Sequence, residues 1–155
     1  MARTPCVGIC STTYGDLVCR GCKRFAHEIV SWNTYDDGQR DQIWQRLHGL
    51  RDQVTAHLLM IENRDRLKGF CLEAGLEALL HDYLADAIGE PEAIYEVLSK
   101  LVIQSQPLVE AGLSARQTLT HAEGENDSLG AIKAIDHEVY SRSQAHYEHN
   151  FKVIA

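Results

Sequence analysis

The sequence lacks any apolar run of the length that a membrane-spanning protein requires. A transmembrane helix needs about 18–20 consecutive apolar residues, and no stretch approaches that length. Cys6 and Cys10 stand where a secretory signal would need its apolar segment. We therefore expect a cytoplasmic protein that does not enter a membrane.

Catalytic motifs are also missing. The chain has no phosphate-binding glycine loop, no dinucleotide fingerprint and no recognisable Ser/His/Asp arrangement. The Glu-x-x-His pair of di-iron helix bundles is absent, and His137 lies too far along the chain from His146 and His149 to share one helical site with them. Nothing in the sequence therefore supports enzymatic activity.

The charge is acidic overall but basic near the N-terminus. The net charge is −7, which argues against DNA binding. Arg20, Lys23 and Arg24 nevertheless follow one another closely. They predict either a local surface for a protein or ribonucleoprotein partner, or a set of cations that balances a negatively charged site.

Four of the five cysteines fall within the first 22 residues, as Cys6, Cys10, Cys19 and Cys22. Disulfides are rare in a reducing compartment, so clustered thiols there more often bind metal. Four soft thiolates suit a tetrahedral ion or a small iron–sulfur cluster. We expect these four residues to be metal ligands, and the isolated Cys71 to be a small buried apolar residue.

The second cysteine pair has the spacing of a tight metal-binding turn, Cys19-Arg20-Gly21-Cys22. Zn²⁺ needs Zn–S bonds of ~2.3 Å in a tetrahedral array, which tight turns can supply. Gly21 permits a backbone conformation in which peptide N–H groups point at sulfur. The first pair is one residue looser and has Gly8 in the analogous place.

These residues resemble a known bacterial family. The pattern consists of Pro5 to Cys10, then Cys19 to Arg24, then Glu28-Ile29 and Trp32. It is similar to the domain-of-unknown-function family 1289, whose members are often described as predicted iron–sulfur proteins. The resemblance covers roughly a third of the chain, and Phe25 stands where the family commonly has a threonine. It implies an N-terminal metal module and says nothing about the role of the remaining residues.

The identity of the metal is left open between zinc and an iron–sulfur cluster. The cysteine spacing does not match the runs that mark common ferredoxins. Paired turns with a glycine in each resemble structural zinc ribbons and knuckles. We expect Zn²⁺, with an iron–sulfur cluster as the alternative, and a closed four-thiolate zinc site would be structural.

After residue 35 the hydrophobic pattern is helical. Apolar residues recur at three- and four-residue steps from Ile43 to Ile61, which predicts one long amphipathic helix from about Asp37. Further helices are predicted from Leu67 to Ile88, from Pro91 to about Gln104, and from Leu129 to Phe151, with a short turn at Leu108 to Ala111.

The sequence as a whole predicts a mostly α protein with two parts. Residues 1–34 would form the four-cysteine metal module, as a knuckle or short hairpin, and residues 35–155 an all-helical domain of about four helices. The function expected is non-enzymatic: a structural metal site that helps to dock a protein or ribonucleoprotein partner. The alternative is an iron–sulfur protein for electron transfer or redox sensing.

Overall fold

The computed structural model describes residues 4–76, 91–119 and 124–151. The fold is mostly α, as predicted. The helices of the described part are α1 (Ala26–Ser31), α2 (Asp37–Leu58), α3 (Arg64–Glu73), α4 (Pro91–Ile103) and α5 (Asp127–Asn150). Short 3₁₀ turns cover Ser11–Tyr14, Trp32–Thr34 and Leu108–Ala111.

A small antiparallel sheet joins two segments that are distant in sequence. β1 (Leu59–Ile61) pairs with β2 (Leu113–Ala115), with Met60 opposite Ser114. The long-helix prediction is therefore wrong at its end, because α2 stops at Leu58 and Ile61 belongs to β1. The backbone there pairs with a strand more than fifty residues later, which a helical periodicity cannot reveal.

The helix starts follow from local sequence. The Asp36 carboxylate accepts a hydrogen bond from the backbone N–H of Gln39 at 2.8 Å, and the Gln39 side chain accepts one from the N–H of Asp36 at 3.0 Å. This reciprocal capping box fixes the start of α2. Asn63 caps α3 through the N–H of Arg66, and Pro91 occupies the first position of α4, where no N–H is needed.

The remaining helix predictions are met where the structure describes the chain. α4, the turn at Leu108–Ala111 and α5 match their predicted ranges to within two residues. The predicted helix from Leu67 to Ile88 is seen as α3 up to Glu73, and its part beyond residue 76 lies outside the described residues. In the described part of the chain, no helix is long and apolar enough to cross a membrane.

The chain groups into two compact units, and neither is bounded at residue 34. One unit comprises residues up to 51 together with those from 137 onward, and the other comprises residues 52–136. In the first unit, Trp32, Ile43 and Leu47 form a buried cluster. In the second, the largest fully buried side chains include Leu59, Leu98, Leu101, Leu108, Leu113 and Ile135.

Candidate metal centre

The turn that carries Cys19 and Cys22 is built as a narrow hairpin. Val18 and Phe25 form an antiparallel bridge. Inside it, the N–H of Cys19 donates to the Arg24 carbonyl and the N–H of Lys23 donates to the Cys19 carbonyl, both at 2.9 Å. Lys23 has a φ of 67°, the left-handed conformation that closes the turn. The predicted short hairpin is thus present around the second cysteine pair.

Gly21 brings the two cysteine segments into contact. A Cβ atom at Gly21 would lie 2.5 Å from Val7 Cγ2 and 3.1 Å from the Ile9 carbonyl oxygen, both on the segment between Cys6 and Cys10. Real Cβ atoms essentially never approach other atoms as closely as 2.5 Å. A side chain at this position would displace Val7 and press on the Ile9 carbonyl, so that glycine favours close packing of one cysteine segment on the other.

Three of the four sulfur atoms of the module share a hydrogen bond with a residue two positions further along the chain, and Cys19 Sγ donates one to the Ile9 carbonyl at 3.8 Å. Cys6 Sγ accepts from the N–H of Gly8 at 3.4 Å, and Cys10 Sγ lies 2.7 Å from the Thr12 hydroxyl. Cys22 Sγ accepts from Arg24 Nε at 3.3 Å. Hydrogen bonds of this kind tune metal-bound thiolates.

Of the two cysteines in this turn, Cys19 has the more polar surroundings. Burial raises the pKa of its thiol, but hydrogen bonds from the backbone of Cys22, Ser11 and Gly21, with one from the Cys22 side chain, outweigh burial and lower the pKa to about 7. For Cys22, burial dominates and raises the pKa, although Arg24 opposes it. Cys19 is therefore the first thiol of this pair to ionise.

The structure brings Cys19 and Cys22 together but does not gather all four cysteines. Cys19 and Cys22 are buried, Cys10 is half-buried and Cys6 is exposed, and all five cysteines of the chain are free thiols. Within residues 4–76, 91–119 and 124–151, no group of three or more Cys, His, Asp or Glu side chains is placed to hold a metal ion. The donor chemistry of the cysteines fits a thiolate-bound metal, since each sulfur has a partner that can stabilise negative charge.

Two of the three basic residues predicted as a partner surface are not on the surface. Lys23 and Arg24 are only 5% and 3% exposed. The Lys23 ammonium donates to the carbonyls of Arg20 and Gly21, the latter at 3.0 Å, and so closes the turn from inside. Arg20 is exposed, with its side chain 72% accessible and 3.2 Å from Asp16. The predicted three-residue basic surface is therefore corrected to a single exposed cation, Arg20.

Sequence reasoning missed the role of Glu28, which is buried and locks α1 to α2. Its Oε1 accepts from the N–H of Phe25 at 2.8 Å, and its two carboxylate oxygens accept from both terminal nitrogens of Arg46 at 2.6 and 2.7 Å. Glutamate three residues after a helix start signals a cap. No local pattern could have indicated the pairing with Arg46, which is eighteen residues away.

Phe25 is the centre of a ring cluster that also went unpredicted. The side chain is 1% exposed. Its ring lies 5.7 Å from that of His146, nearly parallel to it, and between 5.3 and 5.4 Å from those of Tyr147 and Phe151. The Arg46 guanidinium lies over the same ring at 4.3 Å. The end of α5 thus packs directly on the residue that follows the cysteine turn.

Comparison with known proteins supports one assignment, for the N-terminal part of the chain. No curated protein and no solved structure gives a significant match. Residues 4–51, which contain the four cysteines, Arg24, Glu28, Trp32 and Arg46, match the family described as Protein of unknown function (DUF1289), the family that the cysteine pattern resembles.

Proposed function

We propose that this protein is a non-enzymatic metal-binding protein in which Cys6, Cys10, Cys19 and Cys22 hold one Zn²⁺ ion for structure, and in which the ordered module docks a protein partner. The observation that carries the metal proposal is the hydrogen bonding of the Cys6, Cys10 and Cys22 sulfur atoms, together with the lowered pKa of Cys19. Such donors stabilise thiolates, which are the form that binds metal.

Zn²⁺ is the ion we propose because four thiolates form a closed coordination site around it. Four thiolates fill the tetrahedral coordination of Zn²⁺ and leave no position for substrate, so the ion would supply folding energy and not chemistry. We expect residues 4–17 to gain most order from the ion, because the 3₁₀ turn is their regular structure. A reducing, cytoplasmic compartment belongs to this proposal because it keeps the thiols available.

A protein is the partner best suited to the surface around the cysteines. Val7, Ile9, Tyr14 and Leu17 are all large, apolar and more than half exposed. Several large exposed apolar side chains in one segment are more typical of a protein interaction site than of a nucleic-acid surface, which is rich in basic residues. With Lys23 and Arg24 buried, Arg20 is left as the exposed cation of the turn.

The first test is elemental analysis with a visible absorption spectrum on full-length protein purified without oxygen. We expect about one zinc ion per chain and no colour. Cys19→Ser should lose most of the zinc. Cys71→Ser is the matched control, because Cys71 is a buried cysteine outside the module and should leave the zinc content unchanged.

The other results separate the alternatives. Iron and sulfide in equal amounts with a brown chromophore would replace zinc by an iron–sulfur cluster and make redox chemistry the leading function. Protein that retains neither metal under reducing, chelator-free conditions would overturn the metal site altogether.

The docking proposal has its own test. Ile9→Ser should keep its zinc and lose a partner identified by crosslinking of the native protein, because Ile9 is 74% exposed. Val30→Ser, at a similarly exposed apolar residue on α1, is the control. Equal partner binding by both variants and the native chain would remove the case for this surface.

A further inference from the structure

We propose that Arg24 is the internal counter-cation of the metal site, a positioning residue whose guanidinium stays bonded to the Cys22 sulfur when the ion is bound and thereby raises metal affinity. The inference rests on the proposed function and adds to it a residue that is not itself a ligand. It begins from an unusual fact of the structure, a buried arginine whose polar partner is a sulfur atom.

The Arg24 side chain has two partners in the described part of the chain. Its Nε donates to Cys22 Sγ at 3.3 Å, and its guanidinium lies over the Trp32 ring at 4.8 Å from the centroid. Arginine is almost never fully buried unless it is paired with an anion. The neighbouring buried carboxylate, Glu28, already receives both terminal nitrogens of Arg46.

Among the described residues, the Cys22 sulfur is the polar partner of the guanidinium, and we assign charge compensation to the cysteine site. A buried cation beside a neutral thiol and an aromatic ring is poorly compensated, since cation–π attraction contributes only about 0.5–2 kcal/mol. Four thiolates around one divalent ion carry two net negative charges. A guanidinium bonded to one of those sulfurs would offset part of that charge, and the metal site would in turn stabilise the buried cation.

Trp32 holds the guanidinium in place. The tryptophan is buried in the cluster with Ile43 and Leu47. Its carbonyl accepts from Arg40 Nε at 3.0 Å, and the Arg40 guanidinium also lies near its ring, at 5.8 Å. Arg40 thus contacts both the backbone and the ring of Trp32. Because the Arg24 guanidinium lies over this fixed ring, it is directed at the sulfur and not at solvent.

The test is a chelator competition on the zinc-loaded, full-length protein. Arg24→Met keeps the length and apolar stem but removes the charge and the N–H donor, and we expect a loss of zinc affinity of about 10- to 100-fold, as for other residues that contact metal ligands. Arg24→Lys keeps the charge and should lose less. Arg20→Met, on the same turn but exposed and paired with Asp16, should match the native protein.

A spectroscopic readout separates this role from simple packing. In the cobalt-substituted protein, the sulfur-to-metal absorption band should shift in Arg24→Met and stay in place in Arg20→Met, because the hydrogen bond to Cys22 changes the electron density of that ligand. If Arg24→Met does not fold, Arg24→Gln replaces it, since it retains an N–H donor without charge and the same affinity loss is expected.

Two results would overturn the inference. Native zinc affinity in the neutral variants would show that the cation contributes nothing to the site. Weaker binding by Arg24→Lys than by Arg24→Met would show that the residue acts through its packing on Trp32. Failure of the native chain itself to bind metal would instead refute the proposed function, and this inference with it.

Discussion

Cys19 and Cys22 are three residues apart, yet their surroundings shift the pKa values of their thiols in opposite directions. Burial acts on both. At Cys19 it is outweighed by backbone hydrogen bonds, which come from the turn itself and from Ser11. At Cys22 the effect of burial on the pKa is larger than that of the hydrogen bond from Arg24, so the pKa is raised. In the metal-free protein the Cys19 thiol therefore ionises at a lower pH than the Cys22 thiol beside it.

We expect the metal-free protein to show a thiol that titrates near pH 7 and that is missing in Cys19→Ser. The thiolate is the favoured form in the folded state, so its contribution to stability is fully present above the ordinary thiol pKa of 9.0 and is lost as the pH falls through about 7. Ultraviolet absorbance of the thiolate, as native minus variant, measures the midpoint. A midpoint at the ordinary value of 9.0 would contradict the hydrogen bonding described here.

Single residues show what sequence could and could not predict. Gly21 was singled out for its backbone freedom, but the structure does not place it in the left-handed region and instead gives it a close approach to Val7 and Ile9. The burial of Lys23 and Arg24 did not follow, because charged residues are ordinarily exposed. Their positions depend on partners, the carbonyls of the turn and the ring of Trp32, that a composition or a charge count does not contain.

At the scale of elements, the contact between β2 and the start of α3 depends on one glycine. Gly112 has a φ of 66°, and its carbonyl accepts from the N–H groups of Glu62 and Asn63 at 2.8 and 3.0 Å. A Cβ atom there would overlap the Asn63 carbonyl oxygen. The backbone of two distant segments therefore meets where only glycine fits.

Gly112→Ala should destabilise the protein by more than about 1 kcal/mol, because it combines a disfavoured backbone conformation with a backbone clash. Gly49→Ala is the matched control. Gly49 lies on the exposed side of α2 with open space around its Cβ position, so that alanine should stabilise by about 0.5–1 kcal/mol. Urea unfolding followed by circular dichroism measures both, and equal midpoints for the two variants would contradict the close approach.

The bounds of most elements were predictable because the signal was local, whereas the end of α2 was not. Pro91 marks the first turn of α4 in the sequence as in the structure. The end of α2 at Leu58 was missed because the following residues have the same apolar spacing as the helix. Their conformation is decided by pairing with β2, a non-local contact.

For the whole molecule, the compact unit that contains the cysteines draws on both ends of the described chain. Phe25 packs on His146, Tyr147 and Phe151. The family resemblance places a threonine at this position, and a threonine would offer no ring to this cluster. The meeting of residues near 25 with those near 146 could not be predicted from the sequence, since neither segment carries a local pattern that specifies the other.

Phe25→Ala should destabilise this unit by about 3–5 kcal/mol, the usual cost of deleting a buried aromatic ring. Both tryptophans of the chain, Trp32 and Trp44, belong to this unit, so tryptophan fluorescence follows its unfolding. Val30→Ala, at a side chain 84% exposed, should leave the midpoint unchanged. A Phe25→Ala midpoint equal to that of the control would show that the ring cluster does not support the unit.

The contact between Phe25 and the end of α5 can form only after almost the whole described chain has been synthesised. Residues 52–136 must be made between the two halves of the first unit, which at roughly 5–20 residues per second takes on the order of ten seconds. During that interval the four clustered thiols have left the ribosome while the rings that cover Phe25 do not yet exist. The cysteines are therefore synthesised before the rings that complete the packing around Phe25.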